Sequence, residues 1–234
     1  MQRSILSWIV LSILSAVAAA PADALVTVSI EAPGATSTTI TGFNFATDPL
    51  DSEPNGVPVV HFGGSSITGT TTGFINIGAA NVYGGAGGIG SFGTVSADAS
   101  IQLSGAVNYF GLWGSALDGQ NSVELYSGNT LLGSYALQSI LETSPGFTSA
   151  YRGNPLTGGN SAEDYAYFNF LSDTAFNRIR LVENGGGGFE FDNLTIGTVS
   201  AAPEPASWAM LLIGFGAIGC ALRSAKRRTP TVRV

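Results

Sequence analysis

The chain of 234 residues contains 11% charged and 44% hydrophobic residues, 32 glycines, one cysteine and one histidine. With His61 and Cys220 each alone, it cannot build a His/Cys zinc site, a disulfide framework or a Cys–His nucleophile pair. The formal charge of −7 conceals a segregation: residues 25–200 set Arg152, Arg178 and Arg180 against fourteen carboxylates, a net −11, whereas Arg223, Lys226, Arg227, Arg228 and Arg233 crowd the last dozen residues. A folded part this acidic repels phosphate backbones, which excludes nucleic acid and leaves cationic partners, calcium and neutral glycans open.

Residues 1–24 read as a secretory signal peptide: Arg3, then an apolar run from Ile5 to Val17 of about 13 residues, too short to span a bilayer, then small residues. Cleavage by signal peptidase is expected after Ala24, in Ala22-Asp23-Ala24. A cut after Ala20 would place Pro21, with its locked φ and missing N–H, directly after the scissile bond.

Residues 25–198 form one acidic domain. Short β-branched or aromatic runs alternate with Gly, Asn, Ser and Thr, and the 29 glycines in residues 25–197 make up about 17% of that stretch. The expected strands are 25–31, 38–46, 57–62, 73–77, 99–104, 106–113, 121–127, 130–136, 165–171, 176–182 and 189–197, with one short helix in 134–143. This spacing predicts an all-β fold, an antiparallel β-sandwich or jelly roll. Segment 84–93 lacks the strand-to-helix context of a phosphate loop and reads as a flexible loop.

Two hairpins are expected. Gly128-Asn129 suits a primed two-residue turn. The second would join 176–182 to 189–196, with Leu181 opposite Phe189, Arg180 opposite Glu190 and Arg178 opposite Asp192. A change of apolar parity after Asp192 predicts a bulge at Asp192-Asn193.

Candidate site residues are sparse. No cofactor is expected; Asp48, Asp51 and Glu53 make a loose oxygen-rich loop that could bind calcium but reads first as a solvated loop. The loop lacks EF-hand spacing. For glycan contact, Tyr165 and Tyr167 are the aromatic candidates, followed by Trp113, which shares a face with Tyr109 on a strand apolar on both sides. No catalytic residue is assigned. His61 reads as the end of a strand. A carboxylate hydrolase would combine Glu163 or Asp164 with Glu190 or Asp192, although adjacent 163 and 164 point apart on a strand.

Residues 199–207 are a linker containing Pro203-Glu204-Pro205. Trp208 to Leu222 is an uncharged apolar run read as a transmembrane helix, and 223–234 is a basic cytoplasmic tail. Fifteen residues rise only about 22 Å against a hydrocarbon core of roughly 30 Å, so Ala206, Ser207 and snorkelling arginine would have to complete the span. Pro203, Glu204, Pro205, Trp208 and Ala209, the glycine-containing apolar run, and the stop-transfer cluster Arg223, Lys226, Arg227 and Arg228 together resemble the PEP-CTERM sorting signal in its PEPxxWA form. The same segment is also labelled an ice-binding protein C-terminal domain. The tail Thr229 to Val234 runs past the basic end usual in that family.

The resemblance implies a Gram-negative source, export and transient inner-membrane anchoring with the domain outside. It further implies processing by an exosortase near Pro-Glu-Pro and a final place at the cell surface or in an exopolysaccharide biofilm matrix. The leading functional expectation is therefore a non-enzymatic secreted β-sandwich that serves extracellular polysaccharide by structure or weak glycan contact. The alternatives are a carboxylate-based glycan hydrolase and a calcium-dependent adhesin.

Overall fold

A computed structural model describes residues 24–57, 59–154, 157–185, 187–199 and 205–226. In chain order its elements are β1 (Val26–Ile30), β2 (Phe43–Asp48), β3 (Val59–His61), β4 (Thr68–Thr72), β5 (Asn76–Ala79), β6 (Ser91–Val95), β7 (Ala99–Leu117), β8 (Asn121–Ser127), β9 (Thr130–Ala136), α1 (Leu137–Thr143), β10 (Asp164–Glu183), β11 (Phe189–Val199) and α2 (Pro205–Lys226). Every pairing between these strands is antiparallel, as the turn-rich sequence predicts.

The spine is the pair β7 and β10, of 19 and 20 residues, each formed by fusion of two expected strands. Register shifts flank Phe176, which faces Val107, and both are fully buried. Such irregularities let a strand leave one sheet layer and enter the other. The partners change there accordingly. On one side, β10 pairs β1 through residues 168–172 while β7 pairs β11 through 109–115. On the other, β10 pairs β8 through 178–183 and β7 pairs β4 through 100–103.

One apolar cluster joins the two halves, with Phe110, Leu112, Phe168, Phe170 and Ile196 from the first and Ile101, Leu103, Val123, Leu125, Ile179 and Leu181 from the second. Tyr135 of β9 packs on Phe170 with ring centroids 5.4 Å apart, a contact that crosses between the layers. Each fully buried large apolar side chain contributes roughly 1.5–3 kcal/mol. The result is the expected β-sandwich, with the short helix α1 adding Leu137 and Leu141 to the core.

The hairpin at Gly128 forms as read: Ser127 faces Thr130 and Gly128 takes φ 58°. The bulge after Asp192 is also present, with Asn193 at φ 48° and a register shift between Asp192 and Thr195. The hairpin of 176–182 with 189–196 is corrected, because β7 lies between β10 and β11. The glycine-rich connection after Glu183 carries the chain from the half where β10 pairs β8 to the half where β11 pairs β7 through 109–115, so it does not close a hairpin. Parity determined which residues share a face but not which strand is adjacent. Ile179 and Leu181 meet Ile101 and Ala99 on one side and Leu125 and Val123 on the other.

The arginines are redirected in consequence. Arg180 binds Glu124 at 2.9 Å and also pairs with Asp98. Arg178 stacks over the Tyr126 ring, 4.0 Å from its centroid.

Candidate functional site

The outer face of the first layer is not open to solvent. The segment between β1 and β2 lies over it: Glu31, itself buried, accepts from the Thr39 nitrogen at 2.8 Å and from Asn169 Nδ2 at 3.0 Å, and Asn193 Nδ2 donates to the Thr36 carbonyl at 2.8 Å. Beneath this segment Tyr109 donates to Asn169 and Tyr167 donates to Thr195, at 2.7 and 2.8 Å. The segment between β5 and β6 covers the rest. Tyr165 donates to the Val82 carbonyl at 2.9 Å, and the Ala86 nitrogen donates to Asp192 Oδ2 at 2.7 Å. Segment 84–93, expected as a flexible loop, is tied down by these bonds, and its last residues enter β6.

This cover corrects the aromatic candidates. Trp113, Tyr165 and Tyr167 are 1%, 1% and 0% exposed, so none presents a ring to a sugar. The alternation of 165 and 167 against 166, 168 and 170 is real. It marks a strand buried on both faces rather than half exposed.

The calcium candidates diverge. Asp48 accepts from the nitrogens of Leu50 and His61, both at 2.8 Å, and Asp51 accepts from the Ser91 nitrogen at 2.7 Å. Glu53 holds His61 Nδ1 at 2.9 Å, at the end of β3. These carboxylates fasten loops to the sheet, and among the described residues no group of three or more His, Cys, Asp or Glu is arranged to hold a metal ion. Burial, reinforced by the charge of Glu53 and opposed by the two amides, pushes the Asp48 carboxyl up to about 6.

A different set of side chains converges at one end of this layer. An open cleft of about 230 Å³ is lined by Tyr83, Ala116, Asp118, Glu163, Gly187, Gly188 and Glu190. Glu190 projects from β11 opposite Ser115 of β7 and Thr94 of β6. Asp118 closes the turn after β7, accepting from the Gln120 nitrogen at 2.7 Å. Glu163 precedes β10 and accepts from Asn160 Nδ2. Tyr83 stands on the covering loop and is 52% exposed. Gly188 has φ 154°, and a Cβ there would come within 2.7 Å of Glu190 Oε1, so the glycine is what lets this carboxylate fold against the loop.

Burial raises the Glu190 carboxyl to about 7, helped by the charges of Glu163, Glu183 and Asp118. Asp192, also expected on the arginine hairpin, is raised to about 7 by burial, against hydrogen bonds from Ala86 and Asn193. Asp164 does diverge from Glu163: it is buried, with Arg152 Nε 3.8 Å from Oδ1.

Sequence reading named Glu163 and Glu190 as a conceivable pair and missed Tyr83 and Asp118. The Asp118-Gly119 turn after a long apolar run was a usable signal for Asp118. Tyr83 had none, because its position depends on where the loop from 80 to 90 lands.

Of the terminal features, Ala22, Pro203, Glu204, Arg227 and Arg228 lie outside the described residues. Pro205 opens α2, a position proline favours, and Trp208, Ala209 and Lys226 lie along it. Met210 to Ile218 and Arg223 are exposed. The expected span at 208–222 is met as a helix only: among the described residues no helix is long and apolar enough to cross a membrane. An uncharged run of fifteen residues, rising about 22 Å, falls short of the hydrocarbon thickness.

No curated protein matches the chain. Two solved structures show weak likeness: the catalytic domain of a GH87 alpha-1,3-glucanase in complex with nigerose (16% identity, TM-score 0.36) and such a domain in complex with tetrasaccharides (15%, 0.35). Each alignment covers 70% of this chain, which spans only 29% of the length of either structure. Residues 201–228 match the family model of the PEP-CTERM protein-sorting motif, which supports an exported protein processed by an exosortase.

Proposed function

We propose that the protein is anchored transiently at the inner membrane, released or transferred to the cell surface by an exosortase, and there serves the extracellular polysaccharide matrix as a non-enzymatic glycan-contacting β-sandwich. The sorting motif supports the route. The observation that carries the glycan contact is the open cleft, where the exposed ring of Tyr83 stands beside Asp118, Glu163 and Glu190. A sugar ring stacks on an aromatic face while its hydroxyls donate to carboxylates, and both kinds of group are present. The test is a glycan array on the full chain in detergent. Binding without turnover, weakened about tenfold by Tyr83→Ala, is the expected result.

A second reading is favoured by one feature, the joint presence of Glu163 and Glu190 in the same cleft. A glycosidase needs one carboxyl that keeps its proton near neutral pH, and Glu190, raised to about 7, meets that need. Release of reducing ends from polysaccharide, abolished by Glu190→Gln, would establish hydrolysis in place of binding alone.

A further inference from the structure

Charge is not compensated in the cleft. Asp118, Glu163 and Glu190 are the ionisable carboxylates on its wall, and among the described residues no arginine, lysine or histidine lines it. The three arginines between residues 25 and 200 are committed elsewhere. Arg152 binds Glu142 at 3.0 Å, Arg178 lies on Tyr126, and Arg180 joins Glu124 to Asp98. A concave wall of one sign focuses its field on whatever enters.

A second group points to a ligand. Ser115 is fully buried, and its hydroxyl has no hydrogen-bond partner among the described residues. It stands directly opposite Glu190 in the β7–β11 register, so the two side chains project from the same side of the sheet, and the next residue, Ala116, lines the cleft. Buried hydroxyls left unpaired are few in folded proteins and carry a free-energy cost. A polar group entering under Glu190 would supply the missing partner.

We infer that this cleft takes a cationic amino sugar, a pyranose bearing a free protonated amine, in preference to neutral or uronic-acid sugars. The inference rests on the reading that the cleft contacts glycan, and it names the class. A bare divalent ion is poorly served, since no described cluster of three ligands is arranged to grip one. A uronate is repelled by the wall. An ammonium group on a sugar ring forms charge-assisted hydrogen bonds to the carboxylates while the ring lies on Tyr83. At about 230 Å³ the cleft is smaller than the roughly 300–1,000 Å³ of drug-sized ligand sites, so it accepts one sugar unit of a chain at a time.

Titration calorimetry of the full chain in detergent tests this with three probes: a glucosamine hexamer, its fully N-acetylated counterpart and a galacturonate hexamer. The glucosamine hexamer is expected to bind about tenfold tighter than the acetylated one, with no galacturonate binding. Raised salt and the Asp118→Asn/Glu163→Gln variant should both erase the preference. Equal affinity for the two hexosamine probes, reduced by Tyr83→Ala, would overturn the amine preference and leave glycan contact standing. Binding of none of the three, in a chain whose circular dichroism shows it folded, would overturn both.

Discussion

The main-chain nitrogen of Leu25 donates to Asp173 Oδ1 at 3.0 Å, and the Asp173 nitrogen donates back to the Leu25 carbonyl at 3.1 Å. Cleavage after Ala24 would turn that nitrogen into an ammonium ion already placed beside a carboxylate, at the first residue before β1. Cleavage at this bond would therefore add an ion pair there. N-terminal sequencing of the exported protein is expected to begin at Leu25. A start at Pro21 would leave four extra residues and no such pair.

Arg180 links β10 to Glu124 of β8 and to Asp98 at the turn before β7, with Glu124 held below the ordinary carboxylate range: burial raises it, and hydrogen bonds from Tyr126 and Arg180 outweigh that. A double-mutant cycle of Arg180→Gln with Glu124→Gln is expected to give a coupling of about 0.5–1 kcal/mol in urea unfolding. The cycle of Arg180→Gln with Glu190→Gln should give none, because β7 separates the strands that carry them.

That pair of cycles also marks how far the sequence could be read. The strands 121–127 and 130–136 were legible to the residue, because a Gly-Asn turn fixes a local hairpin. The bulge at Asp192-Asn193 was legible because an inserted residue shifts apolar parity. Partner choice for β10 was not, since charge complementarity to Glu190 and Asp192 looked as good as the pairing to β7 and β8. Strands β4 and β6 escaped notice because Thr68–Thr72 and Ser91–Val95 carry too little apolar alternation to stand out from loops. The cleft was legible only as carboxylates, because its walls come from four separate stretches of chain.

The raised carboxyls make stability fall as pH rises. In the unfolded chain Asp and Glu titrate near 3.8 and 4.5, whereas Asp48 titrates near 6 and Glu190 and Asp192 near 7. The folded state thus holds protons that the unfolded state has released between about pH 4 and 7, and the stability they confer is complete below that window and gone above it. Glu31 acts oppositely: burial pulls it up, but hydrogen bonds from Thr39, Asn169 and Thr38 hold it low, so its contribution fades only in stronger acid. The chain is expected to be more stable at pH 5 than at pH 8 by on the order of 2 kcal/mol, with half-buried Glu190 discounted for solvent screening. Thermal melts across this range check it, and Asp192→Asn should flatten the slope.

Gly111 sits where the outer-face tyrosines meet. A Cβ there would come within 2.7 Å of the Tyr167 hydroxyl and would also strike that of Tyr109. Both hydroxyls are tied, to Thr195 and Asn169, and cannot swing away without breaking buried hydrogen bonds. Gly111→Ala should cost about 1–3 kcal/mol by overpacking. Gly128→Ala, with open space around its Cβ and only φ 58° against it, should cost about 1 kcal/mol. Urea midpoints with unchanged m-values would show the difference.

The central claim is that residues 201–228 act as a sorting signal read by an exosortase. Intact-mass analysis of the protein from cells with and without the exosortase tests it most directly. The account predicts a shorter product in normal cells, cut near Pro203-Glu204-Pro205, and a longer membrane-retained form still ending in the basic tail when the exosortase is deleted. The same mass in both strains would contradict it.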